Sequence, residues 1–314
     1  MESRRSFIRK TALGSVALSA PFNAMFATNN KTKYADPNIS LAQWSLNRAF
    51  FNGELNAIDF PDIAKNSFDL NAVEYVNAFY KEHGDNEKFW NQLKTKADSA
   101  GVKSLLIMVD DEGDLGNPSD KERTRAIENH YKWINAAKLL GCHSIRVNAF
   151  GEGNRITLKN SLVDGLGRLS DYGSKEKINI LIENHGLHTS DAKFMTSILK
   201  EVNNRYLGTL PDFGNWCLNT KWGSTQNDKC TEIYDPYQGV TDFLPFAKGV
   251  SAKAYNFDAN GDETFLDYGR LLKIVKKSGF HGYIGIEYEG ERLSEPEGIK
   301  ATKALLERVW RNLD

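Results

Sequence analysis

The 314-residue sequence predicts an α/β chain folded as one closed (β/α)₈ barrel, and three observations predict it. Eight short β-type runs alternate with amphipathic segments at a spacing of roughly 35 residues, the size of one βα repeat. Several runs are almost continuously apolar, as at Ile180-Leu181-Ile182, which suits a strand covered on both faces. No stretch between the first run and the last reads as a linker, so a single barrel is favoured and an open doubly wound sheet is the fallback.

The runs fall at residues 39–44, 72–76, 102–109, 144–148, 178–183, 207–212, 249–255 and 283–287. Between them, residues 87–100, 121–140, 158–175, 191–202, 265–277 and 297–310 carry apolar side chains at helical spacing. Trp133 and Tyr131 belong to that packing pattern rather than to chemistry. Gly101, Gly141 and Gly279 each follow a helical segment and precede a strand, where a left-handed C-cap belongs.

Composition narrows the ligand. Forty Lys plus Arg stand against 41 Asp plus Glu, a formal net charge of -1, and no basic stripe points to nucleic acid or an anionic membrane. A neutral small molecule is the expected partner. No GxGxxG or GxxxxGK[ST] string follows a strand and no GxSxG elbow occurs, which removes support for dehydrogenase, kinase and esterase readings together.

Residues 1–30 read as an address rather than fold. Ser3-Arg4-Arg5-Ser6-Phe7-Ile8 resembles a twin-arginine export signal, which implies the export machinery as a partner and a periplasmic destination for residues 31–314. The alternative is a solvated basic segment leading into a first helix. No later stretch is long and apolar enough to span a membrane. Cys142 reads as a buried small hydrophobe, and Cys217 and Cys230, in one loop, are candidates to pair in an oxidising compartment. The three cysteines make neither a CxxC nor a zinc framework.

In a barrel of this kind the chemistry sits at the C-terminal ends of the strands. The second run supplies Glu74, the fourth Arg146 and Asn148, the fifth Glu183 and His185, the sixth Asp212 and Asn215, the seventh Lys253 and Asn256, and the eighth Glu287. A carboxylate closing an apolar run must pair, bind metal or protonate. Glu183, Asp212 and Glu287 lie on separate strands and can converge on one divalent cation. An oxygen ligand set suits Mg²⁺ or Mn²⁺ better than a thiolate metal.

Three strings, Ile-Glu-Asn-His-Gly at Glu183, Pro-Asp-Phe-Gly-Asn at Asp212 and Gly-Ile-Glu-Tyr-Glu-Gly at Glu287, resemble the xylose-isomerase-like TIM-barrel group of sugar isomerases, ketose 3-epimerases and inosose dehydratases. The resemblance spans nearly all of residues 31–314. It implies that Glu183, Asp212 and Glu287 hold a divalent metal, Mn, Mg or Co ahead of Zn, and that Glu183 and Glu287 are the acid/base pair. The group's seventh strand carries a His ligand where this chain has Lys253. A protonated lysine has no lone pair to offer a metal. His185 could then substitute as ligand, Lys253 could itself replace the cation beside an enediolate, or the site could only bind.

The expected function is therefore a sugar isomerase or epimerase acting on a keto- or aldo-sugar or a cyclitol by proton abstraction beside a carbonyl. Glu183, Glu287 and Lys253 carry the chemistry in this reading. Glu74, Arg146, Asn148, His185, Asn215 and Asn256 contact the carbohydrate. Trp44, Phe150, Trp216 and Tyr255 are candidates to stack on a sugar face or to pack in the core. The rivals are a keto-sugar lyase or dehydratase and a non-catalytic periplasmic sugar-binding barrel. A homo-oligomer is compatible with the sequence.

Overall fold

The computed structural model describes residues 36–313, so the leader at residues 1–30 lies outside the described residues. Eight strands form one parallel sheet: β1 (Ile39–Ala42), β2 (Ala72–Val76), β3 (Lys103–Val109), β4 (Ser144–Val147), β5 (Asn179–Glu183), β6 (Leu207–Leu210), β7 (Val250–Ala254) and β8 (Ile284–Tyr288). Their order is β6-β5-β4-β3-β2-β1-β8-β7. The two end strands are joined by parallel bridges at Thr209–Ala247 and Asp212–Ser251, with Ser251 N–H donating to the Pro211 carbonyl at 2.9 Å. The strands thus run round a barrel in sequence order, as the repeat spacing predicts.

A helix follows each strand: α1 (Phe60–Phe68), α2 (Glu87–Ala100), α3 (Asp120–Leu140), α4 (Arg155–Glu176), α5 (Ala192–Val202), α6 (Pro236–Phe243), α7 (Tyr268–Lys277) and α8 (Glu295–Asn312). Their ends obey local chemistry. Gly101 and Gly141 are left-handed C-caps at φ 67° and 79°, and Gly279, just beyond α7, is at φ 75°. Asn154 accepts from two first-turn N–H groups of α4, and Ser294 and Glu297 form a capping box on α8. None of the helices among the described residues is long and apolar enough to cross a membrane.

Strand alternation decides what faces where. Leu41, Val73, Tyr75, Ile107, Ile145, Val147, Ile180, Ile182, Val250, Ala252, Ile284 and Ile286 point outward into the main core shared with the helices. Their neighbours point inward, where a small apolar cluster of Ala42, Val76, Leu106, Met108, Leu181 and Leu210 fills part of the lumen. The same parity sends Ser40, Glu74, Arg146, Glu183, Ser251, Lys253 and Glu287 inward, all of them buried. A register shift between Val73 and Glu74 against β3 marks an irregularity beside the Glu74 carboxylate.

Candidate active site

Glu183, Asp212 and Glu287, from the ends of β5, β6 and β8, each offer an oxygen, and these oxygens lie within 4.8 Å of one another. The backbone shapes this convergence. Asp212 ends β6 in a turn whose Gly214 and Asn215 N–H groups both donate to its Oδ1 at 2.8 Å, which fixes the carboxylate and leaves Oδ2 inward. Ser251, on β7 across the seam, has its hydroxyl 2.6 Å from Asp212 Oδ2 and 2.7 Å from Glu287 Oε2. One hydroxyl proton serves two acceptors, so the two carboxylates are tied by a single side chain.

Lys253 enters the same cluster two residues further along β7. Its Nζ donates to Asn215 Oδ1 at 3.1 Å and stands 3.3 Å from Glu289 Oε1, 3.8 Å from Glu287 Oε2 and 4.0 Å from Asp212 Oδ2. Burial opposes its charge, but the three carboxylates outweigh burial and hold the ammonium well above the usual lysine range. Lys253 is therefore a fixed cation beside the acids. Asn215 closes the circuit, its Nδ2 donating to Glu183 Oε1 at 3.2 Å.

Arg146 supplies the second cation. Its Nε is 2.8 Å from Glu183 Oε2, too bent for a hydrogen bond, so both atoms lack a hydrogen-bond partner. Its NH1 donates to Asp110 Oδ1 at 2.6 Å. Asn148 Nδ2 donates to the same oxygen at 2.6 Å, and Asn148 Oδ1 lies 2.7 Å from His185 Nδ1. Burial, then Arg146, pushes the His185 pKa well below its ordinary value. The ring is neutral, and with its Nδ1–H given to Asn148 the lone pair is on Nε2.

Buried acids outnumber the cations. Burial lifts Glu183 well above the carboxylate range, with Glu287 and Asp212 adding to it against Arg146, and raises Asp212 and Glu74 to about 7. Asp110 goes the other way: burial would raise it, but the Arg146 charge and the hydrogen bonds from Arg146 and Asn148 outweigh burial and lower it. Three hard oxygen donors from rigid strands, converging within 4.8 Å, fit a divalent cation. His185 does not belong to that donor group. Its Nδ1 is 3.9 Å from Glu183 Oε2 and donates to Asn148 Oδ1, which leaves Nε2 as its free nitrogen.

A cavity of about 350 Å³ opens over the cluster, with Arg146, His185, Lys253, Glu287 and Glu289 exposed to it. Trp44, Phe51, Ala78, Lys81, Asp110, Asp111, Trp222 and Ser224 complete its walls. Trp222 and Ser224 come from the loop after β6, which a Cys217–Cys230 disulfide closes. That loop is pinned to the β5 loop by the Gly186–Lys221 bridge, where a side chain on Gly186 would meet the Thr220 carbonyl at 2.2 Å.

Of the expected site residues, Arg146, His185, Lys253 and Glu287 line the cavity, while Glu183 and Asp212 are buried against it. Asn148 lines a smaller cavity beside it. Glu74, Asn215 and Asn256 line neither. Glu74 accepts from Ser40 at 2.6 Å, Asn215 is used up by Glu183 and Lys253, and the Asn256 N–H donates to Glu263. Trp44 faces the cavity, whereas Trp216 is core, packed on Tyr234 and Phe243. Sequence reasoning did not single out Asp110, Ser251, Glu289 or Trp222. Asp110 directly follows β3 and Glu289 shares the inward parity of Glu287, so both carried the strand-end signal; Ser251 and Trp222 carried none.

A family model described as xylose isomerase-like TIM barrel matches residues 62–309. The chain belongs to that family. Among solved xylose isomerase-like barrels, the 3-keto-D-glucoside 4-epimerase from E. coli is 13% identical at a TM-score of 0.64, covering 86% of this chain and 99% of that one. A Mycobacterium smegmatis barrel in complex with magnesium is 12% identical at 0.62, covering 90% and 99%. Further barrels of the same fold include D-psicose and L-ribulose 3-epimerases. A 60-residue stretch, 19% of this chain, is 33% identical to the C-glycoside deglycosidase alpha subunit of Arthrobacter globiformis, and spans 17% of that relative's length.

Proposed function

We propose that this chain is a sugar isomerase or epimerase that moves a proton on the carbon beside a carbonyl of a keto- or aldo-sugar or cyclitol. The observation that carries the reading is the convergence of Glu183, Asp212 and Glu287 from three strand ends under one cavity. Glu287 opens to the cavity and takes the proton. Glu183, whose burial favours the protonated acid, is the donor of the pair. The Lys253 ammonium places positive charge beside the developing enediolate, a role that needs no proton to move. Arg146 and His185 orient hydroxyls, the latter through a neutral ring with its acceptor nitrogen free of Asn148.

Glu183, Asp212 and Glu287 would hold a divalent cation, Mn, Mg or Co before Zn, which when bound supplies Lewis-acid charge to the same chemistry. Export to the periplasm belongs to this proposal as well. Its support is the Arg4-Arg5 string together with the Cys217–Cys230 disulfide, a bond that persists in oxidising compartments.

The test is solvent exchange. Keto-sugars incubated with the protein in D₂O gain deuterium beside the carbonyl, and Glu287→Gln lowers that rate by roughly 10²–10⁴. Binding without exchange sinks the enzyme reading and leaves a sugar-binding barrel. A second reading, a keto-sugar lyase, is favoured by the deglycosidase match. It starts with the same proton removal, but its product loses water or a glycosyl group, whereas an epimer keeps its mass.

A further inference from the structure

The cavity over the acids does not end at the barrel mouth. A second cavity of about 250 Å³ adjoins it, and Asp111 and Trp222 line both. The first alone has the room of about a dozen waters at ~30 Å³ each. Covalently bonded atoms pack closer than waters, so a single hexose leaves space unfilled.

Trp222 is an unusual residue to find there. It is 42% exposed, although a large apolar ring gains most from burial. Its backbone sits at φ 69°, a region that bulky residues rarely adopt and that persists only where the surroundings impose it. Here the surroundings are the disulfide-closed loop, the Gly186–Lys221 bridge and the Cys217 N–H donated to the Gly223 carbonyl at 3.0 Å. They hold the indole edge-on to His185, with ring centroids 4.9 Å apart. On the other side of the mouth Phe51, 61% exposed, also lines the first cavity. Lys221 Nζ lies over one face of the Trp222 ring at 4.9 Å and Phe51 packs on Phe79, so two partly exposed aromatic rings and the Asp111 carboxylate remain to meet a ring that has apolar C–H or π faces and hydroxyls at its edge.

Resting on the proposed sugar chemistry, we infer that the substrate is a glycoside: the reacting keto-sugar sits over Glu287 and Lys253, and a second ring, joined to it by the glycosidic bond, occupies the outer subsite at Trp222. The Cys217–Cys230 loop is the specificity element that builds this subsite.

The experiment compares deuterium exchange into free 3-keto-glucose, its methyl and phenyl glycosides and a 3-keto-disaccharide, with wild type, Trp222→Ala, Trp222→Phe and Cys217→Ser. For wild type, kcat/KM is at least tenfold higher for the two-ring substrates than for the free sugar and the methyl glycoside. Trp222→Ala reduces that ratio about tenfold and Trp222→Phe retains most of it, because a ring face remains. Cys217→Ser behaves like Trp222→Ala. The phenyl and disaccharide arms show whether the second ring is aryl or sugar. Equal kcat/KM for free sugar and both two-ring substrates, or a ratio indifferent to Trp222→Ala, overturns the subsite while leaving the proton chemistry standing. Exchange into none of the four probes but into free ketohexoses such as fructose also overturns the glycoside subsite, whereas exchange into neither set refutes the proposed function instead. If Cys217→Ser does not fold, the two Trp222 variants decide the matter.

Discussion

Replacing Lys253 by methionine removes the cation from the centre of the site while keeping its volume close. The ammonium stands 3.8 Å from Glu287, 4.0 Å from Asp212 and 3.3 Å from Glu289. A pair of unit charges near 4 Å is worth about 4 kcal/mol at an effective dielectric of ~20. Against that attraction stands a desolvation cost of several kcal/mol for the buried ion, and removing one partner of such a cluster costs roughly 3–5 kcal/mol. In a domain of this size that lowers the melting midpoint by roughly 5–15 °C. The assay is thermal unfolding in chelator at pH 8, where the acids cannot easily escape by protonation. Lys253→Met then regains most of the loss on adding Mn²⁺, because a divalent ion replaces the missing charge, and the loss shrinks at pH 5. A chelated variant that melts within about 2 °C of wild type at pH 8 refutes the reasoning that the acids depend on this ammonium.

Other consequences follow from the same cluster. Asp212 and Glu74 titrate near 7 in the fold because of burial, but near 4 in the unfolded chain. Their contribution is complete below about pH 4 and is lost as pH rises through 7, so urea unfolding of the chelated protein shows stability falling between pH 5 and 7.5. A rise over that window contradicts the shifts. Ser251→Ala, which takes away the hydroxyl shared by Asp212 and Glu287, weakens Mn²⁺ affinity at least tenfold by calorimetry; an unchanged affinity removes Ser251 from the site. Cys230→Ser opens a 13-residue separation and lowers stability by roughly 3 kcal/mol in urea without reductant, a difference that vanishes once both proteins are reduced.

The fold was legible because each strand of the barrel announces itself twice. The outward residues of β5, Ile180 and Ile182, meet helices, and Leu181 fills the lumen, so the run is apolar throughout until Glu183 ends it. Gly101 and Gly141 then punctuate the helices by their left-handed φ. The acid triad was legible for the same reason, since a carboxylate ending such a run has few places to go. The links between the acids were not. Ser251 matters only because the β6–β7 seam brings it across from Asp212, a contact 39 residues apart in sequence. Asn215 and Asn256 look alike as strand-end amides, yet one joins Glu183 to Lys253 and the other lies beside Glu263. Arg146 was read as a carbohydrate contact, but it also pairs with Glu183 and donates to Asp110, which sits after a strand whose end drew no attention. His188, which no strand-end pattern marks, is half-buried with Nε2 2.8 Å from the Ala149 carbonyl. Trp222 owes its place to a loop whose path is set by a disulfide and a bridge to β5's loop, neither of which periodicity encodes.

The proposed chemistry rests on Glu183, Asp212 and Glu287 holding a divalent metal despite lysine at position 253. Plasma mass spectrometry on protein purified without chelators, wild type beside Glu183→Ala, decides whether they do. The wild type is expected to carry close to one Mn, Mg, Co or Zn per chain, and the variant to lose it. Wild-type protein that holds no metal, even after equilibration with Mn²⁺, contradicts the proposal and leaves Lys253 as the working cation of the site.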